Sequence, residues 1–182
     1  MTQLHESLGN IDVTENVLKN DIVDRVAMAI TESGYQLEEQ DDTRPWGAFF
    51  RLANTDADVF VEEFFPGLNP AEARLGNEEA ELSPKILLVS PEHRLSWQHH
   101  ARRAERWAFL TPGGYHKSLT DDQGDLHNAE SGEIVQFAQG ERHRLVAAMG
   151  RYTLVAEIWQ HVDINHPSDE ADIIRLQDDY NR

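Results

Sequence analysis

The sequence predicts an all-β domain, a sandwich or jelly-roll barrel, preceded by one helix. Three observations carry this. After Arg44-Pro45-Trp46-Gly47 the chain breaks into short apolar or alternating runs, turn-formers such as Pro66-Gly67, Pro112-Gly113-Gly114 and Asp121-Asp122-Gln123-Gly124 separate them, and no second long helical segment intervenes. A chain of 182 residues has the length of one ordinary domain and buries a core without disulfides.

The elements follow in order. From Thr14 to about Ser33, Val17, Leu18, Ile22, Val23, Val26, Ala27 and Ile30 fall at the spacing of one helical face, with Thr14 as the expected N-cap and Gly34 as the stop. The expected strands are AFFRL (48–52), VFVEEFF (59–65), KILLV (85–89), RWAFL (106–110), EIVQF (133–137), HRLVAAM (143–149) and YTLVAEIW (152–159). Residues 69–81 read as a loop with a helical turn, and residues 168–182 as a polar tail with a short helix or strand. The expected division is a helical extension over 1–43 and a barrel with its C-terminal tail over 44–182. The amphipathic helix must cover a barrel face or a partner subunit, and a homodimer is expected.

Composition removes several function classes. The chain has no cysteine, so any metal takes nitrogen and oxygen ligands. Against 33 Asp+Glu stand 16 Lys+Arg, a net charge of −17 that repels a nucleic-acid backbone. No apolar leader and no run of eighteen apolar residues occur, so a cytoplasmic protein without a membrane partner is expected.

The chemistry concentrates in SWQHHARRAERW (96–107). Side chains two apart on a strand share a face, so Gln98 and His100 point one way and His99 the other. A turn through residues 101–104 brings Glu105 back beside them, and His143 is available from a later apolar run. Two imidazoles, a carboxylate and an amide oxygen suit one divalent ion, Zn, Mn, Fe or Ni. A polar surface hairpin that happens to carry two histidines has the same spacing.

The pattern Gln98-x-His100-x4-Glu105 followed by Gly140-x-x-His143 resembles the two half-motifs of the cupin superfamily, in the variant where glutamine replaces the first histidine. That variant is similar to the cupin domain of type II mannose-6-phosphate isomerases, as are Arg44-Pro45-Trp46-Gly47, Arg94-Leu95-Ser96-Trp97-Gln98 and the C-terminal stretch from Asp172 to Arg182. Two departures leave the ligands intact: Ala138-Gln139-Gly140 stands where the family has Pro-x-Gly, and Tyr180-Asn181-Arg182 where it has Tyr-Gly-Arg. The nucleotidyltransferase domain fused to many members is not expected within residues 1–43. The resemblance implies a cupin double-stranded β-helix, Gln98, His100, Glu105 and His143 as metal ligands, and a metal-dependent aldose-ketose isomerase acting on a sugar phosphate through an enediolate. Another metal-dependent cupin enzyme, such as an oxygenase, and a non-catalytic sugar-binding cupin are the alternatives.

Further roles are expected around this set. Glu157 occupies the place of a glutamate in the family's late strand and is a candidate acid/base, although an alternating strand could equally present it to solvent. Arg175 matches an arginine that the resemblance implicates in catalysis, with a tail salt bridge as the other reading. Lys85, Lys117 and Arg142 are candidates for binding the sugar or its phosphate. Arg102, Arg103, Arg106, Arg142 and Arg144 form a basic collar that suits a phosphorylated sugar, or else pairs with surface carboxylates. The segment 111–132 is expected to line the substrate mouth.

Overall fold

The structure, a computed structural model, describes residues 3–181. Among the described residues four α-helices, α1 (Leu4–Gly9), α2 (Lys19–Glu32), α3 (Ala57–Phe64) and α4 (Pro70–Ala73), and one 3-10 turn (Asn54–Asp56) accompany eleven strands. The strands are β1 (Leu37–Asp41), β2 (Gly47–Leu52), β3 (Lys85–Val89), β4 (Trp97–His99), β5 (Arg103–Phe109), β6 (Gly113–Ser118), β7 (His127–Ala129), β8 (Ile134–Phe137), β9 (Arg142–Ala147), β10 (Thr153–His161) and β11 (Ile174–Gln177). One antiparallel sheet runs β1-β2-β3-β10-β5-β8, the other β11-β4-β9-β6-β7. From β3 onward the chain passes back and forth between the sheets, which winds a jelly-roll barrel of the double-stranded β-helix type. The expected fold is observed.

The run KILLV is buried at every position because both faces of the six-stranded sheet are covered. Ala48, Phe50, Ile86, Leu88, Leu154 and Ala156 point outward into a core shared with α2 and α3. Phe49, Leu87, Val89, Trp107, Phe109 and Val155 alternate with them and fill the barrel interior together with Leu145 of the second sheet.

Several expectations are corrected. The run 59–65 is not a strand: through Phe64 it belongs to α3, whose buried positions Ala57, Phe60, Val61 and Phe64 are spaced i, i+3, i+4, i+7. Its aromatic content favours a strand, but only helical spacing puts these four on one face. Helix α2 begins at Lys19, without a side-chain cap, whereas Thr14 pairs with Arg151 in an isolated bridge. Gly34, at φ +90°, does follow the helix end. Helix α1 and strands β1, β6 and β7 are not among the expected elements. β1, mostly exposed, forms because β2 offers it an edge, so the pair spans the expected boundary at residue 43. The C-terminal tail adds β11 to β4, while Arg182 lies outside the described residues. The glycine of Arg-Pro-Trp-Gly has a steric cause: a Cβ on Gly47 would lie 1.8 Å from the Leu88 carbonyl oxygen. Among the described residues no helix is long and apolar enough to cross a membrane.

Candidate metal centre

Interior-facing positions are apolar toward one end of the barrel and charged toward the other. On β5, Trp107 and Phe109 give way to Glu105 and Arg103; on β3, Val89 and Leu87 give way to Lys85; on β10, Val155 gives way to Glu157 and Trp159. The register places these groups together, with Glu157 opposite both Lys85 and Trp107, and Trp159 opposite Glu105. The second sheet supplies Gln98 and, directly across from it, His143.

His100, Glu105 and His143 gather so that one ligand atom of each lies within 4.8 Å of the others. All three are at most 2 % exposed. His100 Nε2 is 3.1 Å from Glu105 Oε1, and His143 Nε2 is 3.1 Å from Oε2. The other ring nitrogens fix the tautomers: Nδ1 of His100 faces the Asp172 carbonyl at 2.6 Å and Nδ1 of His143 the Glu141 carbonyl at 3.0 Å. A carbonyl only accepts, so each Nδ1 carries its proton, and in the neutral form that metal ligation uses each ring turns an Nε2 lone pair toward the carboxylate. Glu105 Oε2 and His143 Nε2 accordingly face each other buried and without a hydrogen-bond partner. This is an acceptor meeting an acceptor, and it is satisfied by a cation between them. Imidazoles anchored through Nδ1 to carbonyls are also what metal ligation uses. The residues therefore fit a divalent ion.

Electrostatics agree. Burial holds the His100 ring below the usual histidine range, which favours the neutral ligand form. Burial opposes ionisation of Glu105, but nearby positive charge, that of the His100 and His143 rings when they are protonated and of the Arg103 guanidinium, outweighs it and holds its carboxyl well below the usual range.

Gln98 and Glu105 share the wall of a cavity of about 90 Å³ with Lys85, Arg103, Glu157 and Arg175. Gln98 Oε1 accepts from the Ser96 hydroxyl. Glu157 is 5 % exposed, and its two oxygens accept from the indole N–H groups of Trp107 and Trp159, each at 3.0 Å. Burial and then the Glu105 charge raise its carboxyl to about 7, against the opposing pull of Lys85 and Arg103. Lys85 lies 3.6 Å above the Trp159 ring and pairs with Glu170 of the C-terminal segment. Arg175 stands opposite Gln98 on β11.

Other expected participants lie elsewhere. His99 is half-buried outside the cluster, as strand alternation requires. Lys117 donates to the Gln136 carbonyl and Arg142 to Asp121, and neither lines the cavity. Within the collar only Arg103 does; Arg102 pairs with Asp169 and Arg144 with Asp179. Residues 111–132 do not reach the cavity wall, since β6 and β7 pair along this segment. Spacing missed Asp172, whose carboxylate caps the turn after His100 by accepting from Ala101 N–H at 2.9 Å and Arg102 N–H at 3.0 Å.

No family model matches the chain, and no curated protein matches it in sequence. Solved structures match it in fold. A structure of the capsular polysaccharide assembling protein CapF from Staphylococcus aureus aligns at 11% identity over 79% of this chain and 34% of its own, with a TM-score of 0.51. Another CapF structure aligns at 12% over 87% and 39%, also at 0.51. An uncharacterized conserved protein with a double-stranded beta-helix domain from Klebsiella pneumoniae aligns at 11% over 53% and 76%, with a TM-score of 0.42. The chain spans little more than a third of the CapF structures, and at such identity the likeness is one of fold.

Proposed function

We propose that the protein is a metal-dependent aldose-ketose isomerase acting on a sugar phosphate. The observation that carries this reading is Glu157, a buried carboxyl held by two indoles in the wall of the same cavity as Glu105, where burial and the Glu105 charge push it up to about 7. Moving a proton between adjacent carbons requires one group that accepts it and returns it, and such a group works best with a pKa near the working pH. His100, Glu105 and His143, with Gln98 beside them, would hold a divalent ion, which supplies Lewis acidity to a carbonyl and its neighbouring hydroxyl.

Glu157 takes the proton from the hydroxyl-bearing carbon of the aldose, leaving an enediolate; the hydroxyl proton passes from that carbon's oxygen to the former carbonyl oxygen, and Glu157 delivers its proton to the adjacent carbon to give the ketose. The indoles of Trp107 and Trp159 hold both of its oxygens, so the carboxylate is oriented before substrate arrives. Lys85 and Arg175 in the cavity wall are suited to the anionic end of the substrate.

The test is to determine bound metal on the purified chain and follow aldose-ketose interconversion over a panel of phosphorylated and free sugars with added divalent ions. Metal-dependent interconversion of a phosphorylated sugar is expected. Folded, metal-loaded protein that turns over none of them rules the reading out.

A further inference from the structure

Arg103 is the one collar arginine inside the barrel, and its guanidinium reaches the metal ligands themselves. Nε donates to Glu105 Oε1 at 2.7 Å, and Nη2 lies 3.2 Å from His100 Nε2. We propose that Arg103 is a built-in competitor of the metal, so that an ion gains Glu105 Oε1 and His100 Nε2 only by displacing the guanidinium. This rests on the metal centre described above.

The lone pair on His100 Nε2 decides the matter. Because Nδ1 carries the proton that goes to the Asp172 carbonyl, Nε2 has a single lone pair, which accepts from Arg103 or ligates an ion but not both. A divalent ion beside a guanidinium on one carboxylate also adds like-charge repulsion in a buried site, where screening is weak.

The two halves of the cluster therefore differ. His143 Nε2 and Glu105 Oε2 have no hydrogen-bond partner and can receive an ion at once, whereas the His100 side is covered. Arg103 also has a position to retreat to. Nη1 donates to Ser168 Oγ at 2.8 Å and to the Asp169 and Asp172 carbonyls at 3.2 and 3.3 Å, and the guanidinium carbon is 3.6 Å from the centre of the Trp159 ring. None of these contacts involves a metal ligand, so displacement from the cluster leaves the arginine anchored. Metal affinity is thus set by a competition within the chain, and ions that bind imidazole weakly are disfavoured.

The experiment is calorimetric titration of chelator-treated full-length protein with Zn²⁺ and with Mn²⁺, comparing the parent, Arg103→Met and Arg103→Lys, with His143→Ala to identify binding elsewhere on the acidic surface. Met keeps an apolar chain against Trp159 and removes the competing cation; its affinity is expected to rise on the order of tenfold, the scale on which groups contacting ligands change metal binding. Lys, which cannot contact Glu105 and His100 as a fork, is expected to fall between Met and the parent, and serves if the Met variant does not fold. If the parent binds metal and the folded variants bind it equally or more weakly, while their unfolding midpoints drop, Arg103 is a structural ion-pair partner and the inference is overturned alone. If neither parent nor variants bind metal at all, the metal centre is lost and the inference with it.

Discussion

His143 Nε2 and Glu105 Oε2 face each other at 3.1 Å, buried and without a hydrogen bond. Because the carbonyls of Glu141 and Asp172 fix the protons of His143 and His100 on Nδ1, the two rings and the carboxylate converge as three acceptor groups. The expected outcome is that His100→Ala and His143→Ala lose stoichiometric metal, while His99→Ala, outside the cluster, keeps it. Elemental analysis of the purified variants checks this. Loss of metal in His99→Ala with retention in Gln98→Ala would mean that the strand is out of register by one residue.

Glu157 sets the pH dependence. With its carboxyl at about 7, the base form grows as pH rises through neutrality, so kcat/KM should climb with an apparent pKa near that value. Glu157→Gln should abolish this limb and lower the rate by roughly 10²–10⁴-fold. Stability runs the opposite way. The unfolded carboxyl releases its proton near about 4.3 and the folded one near 7, so the folded state holds an extra proton between those values. Its stabilising contribution is complete below the unfolded value and is lost as pH rises through about 7. The thermal midpoint of Glu157→Gln should therefore fall less than the parent's across that range, and an unchanged slope would remove Glu157 as its source.

Period-two alternation made most of this site legible. Once Gln98 and His100 share a strand face, His99 is excluded, and the interior positions of β5 and β10 follow from their apolar neighbours. The same rule, applied from Glu105 back to Arg103, would have put that arginine inside. Reading it as one member of a collar took sequence clustering for spatial clustering, and Arg102 and Arg144 do pair with carboxylates outside the cavity. Asp172 was not legible as a support for His100 because its contact uses a backbone carbonyl, which any residue carries. β1 was hidden for a related cause: its sequence LEEQD has little apolar periodicity, and its hydrogen bonds to β2 are made by backbone.

Lys85 and Glu170 close the cavity wall, and their burial is unequal: the Lys85 side chain is 4 % exposed and that of Glu170 60 %. An exposed carboxylate on a buried lysine is easily exchanged for the anion of a substrate. Glu170→Gln should lower KM for the phosphorylated sugar a few-fold, whereas Lys85→Ala should raise it by about tenfold or more, the weight of a charged hydrogen bond. Steady-state kinetics on phosphorylated and unphosphorylated forms of one sugar read this out. Equal effects on the two forms would remove anion recognition from Lys85.

Helix α3 offers a stability test that separates the two readings of residues 59–65. In a strand, Val59, Val61 and Phe65 share a face and Phe60 lies opposite; in the helix, Phe60, Val61 and Phe64 are buried and Val59 is 58 % exposed. Phe60 packs against Phe64 with ring centroids 4.6 Å apart and against Tyr35 at 6.2 Å. Phe60→Ala removes a fully buried ring and should cost about 3–5 kcal/mol in denaturant unfolding. Val59→Ala should change stability by no more than about 0.5 kcal/mol, because its side chain already meets solvent and alanine is the better helix former. A large loss at Val59 together with a small one at Phe60 would restore the strand and place the opposite face of this segment against the sheet.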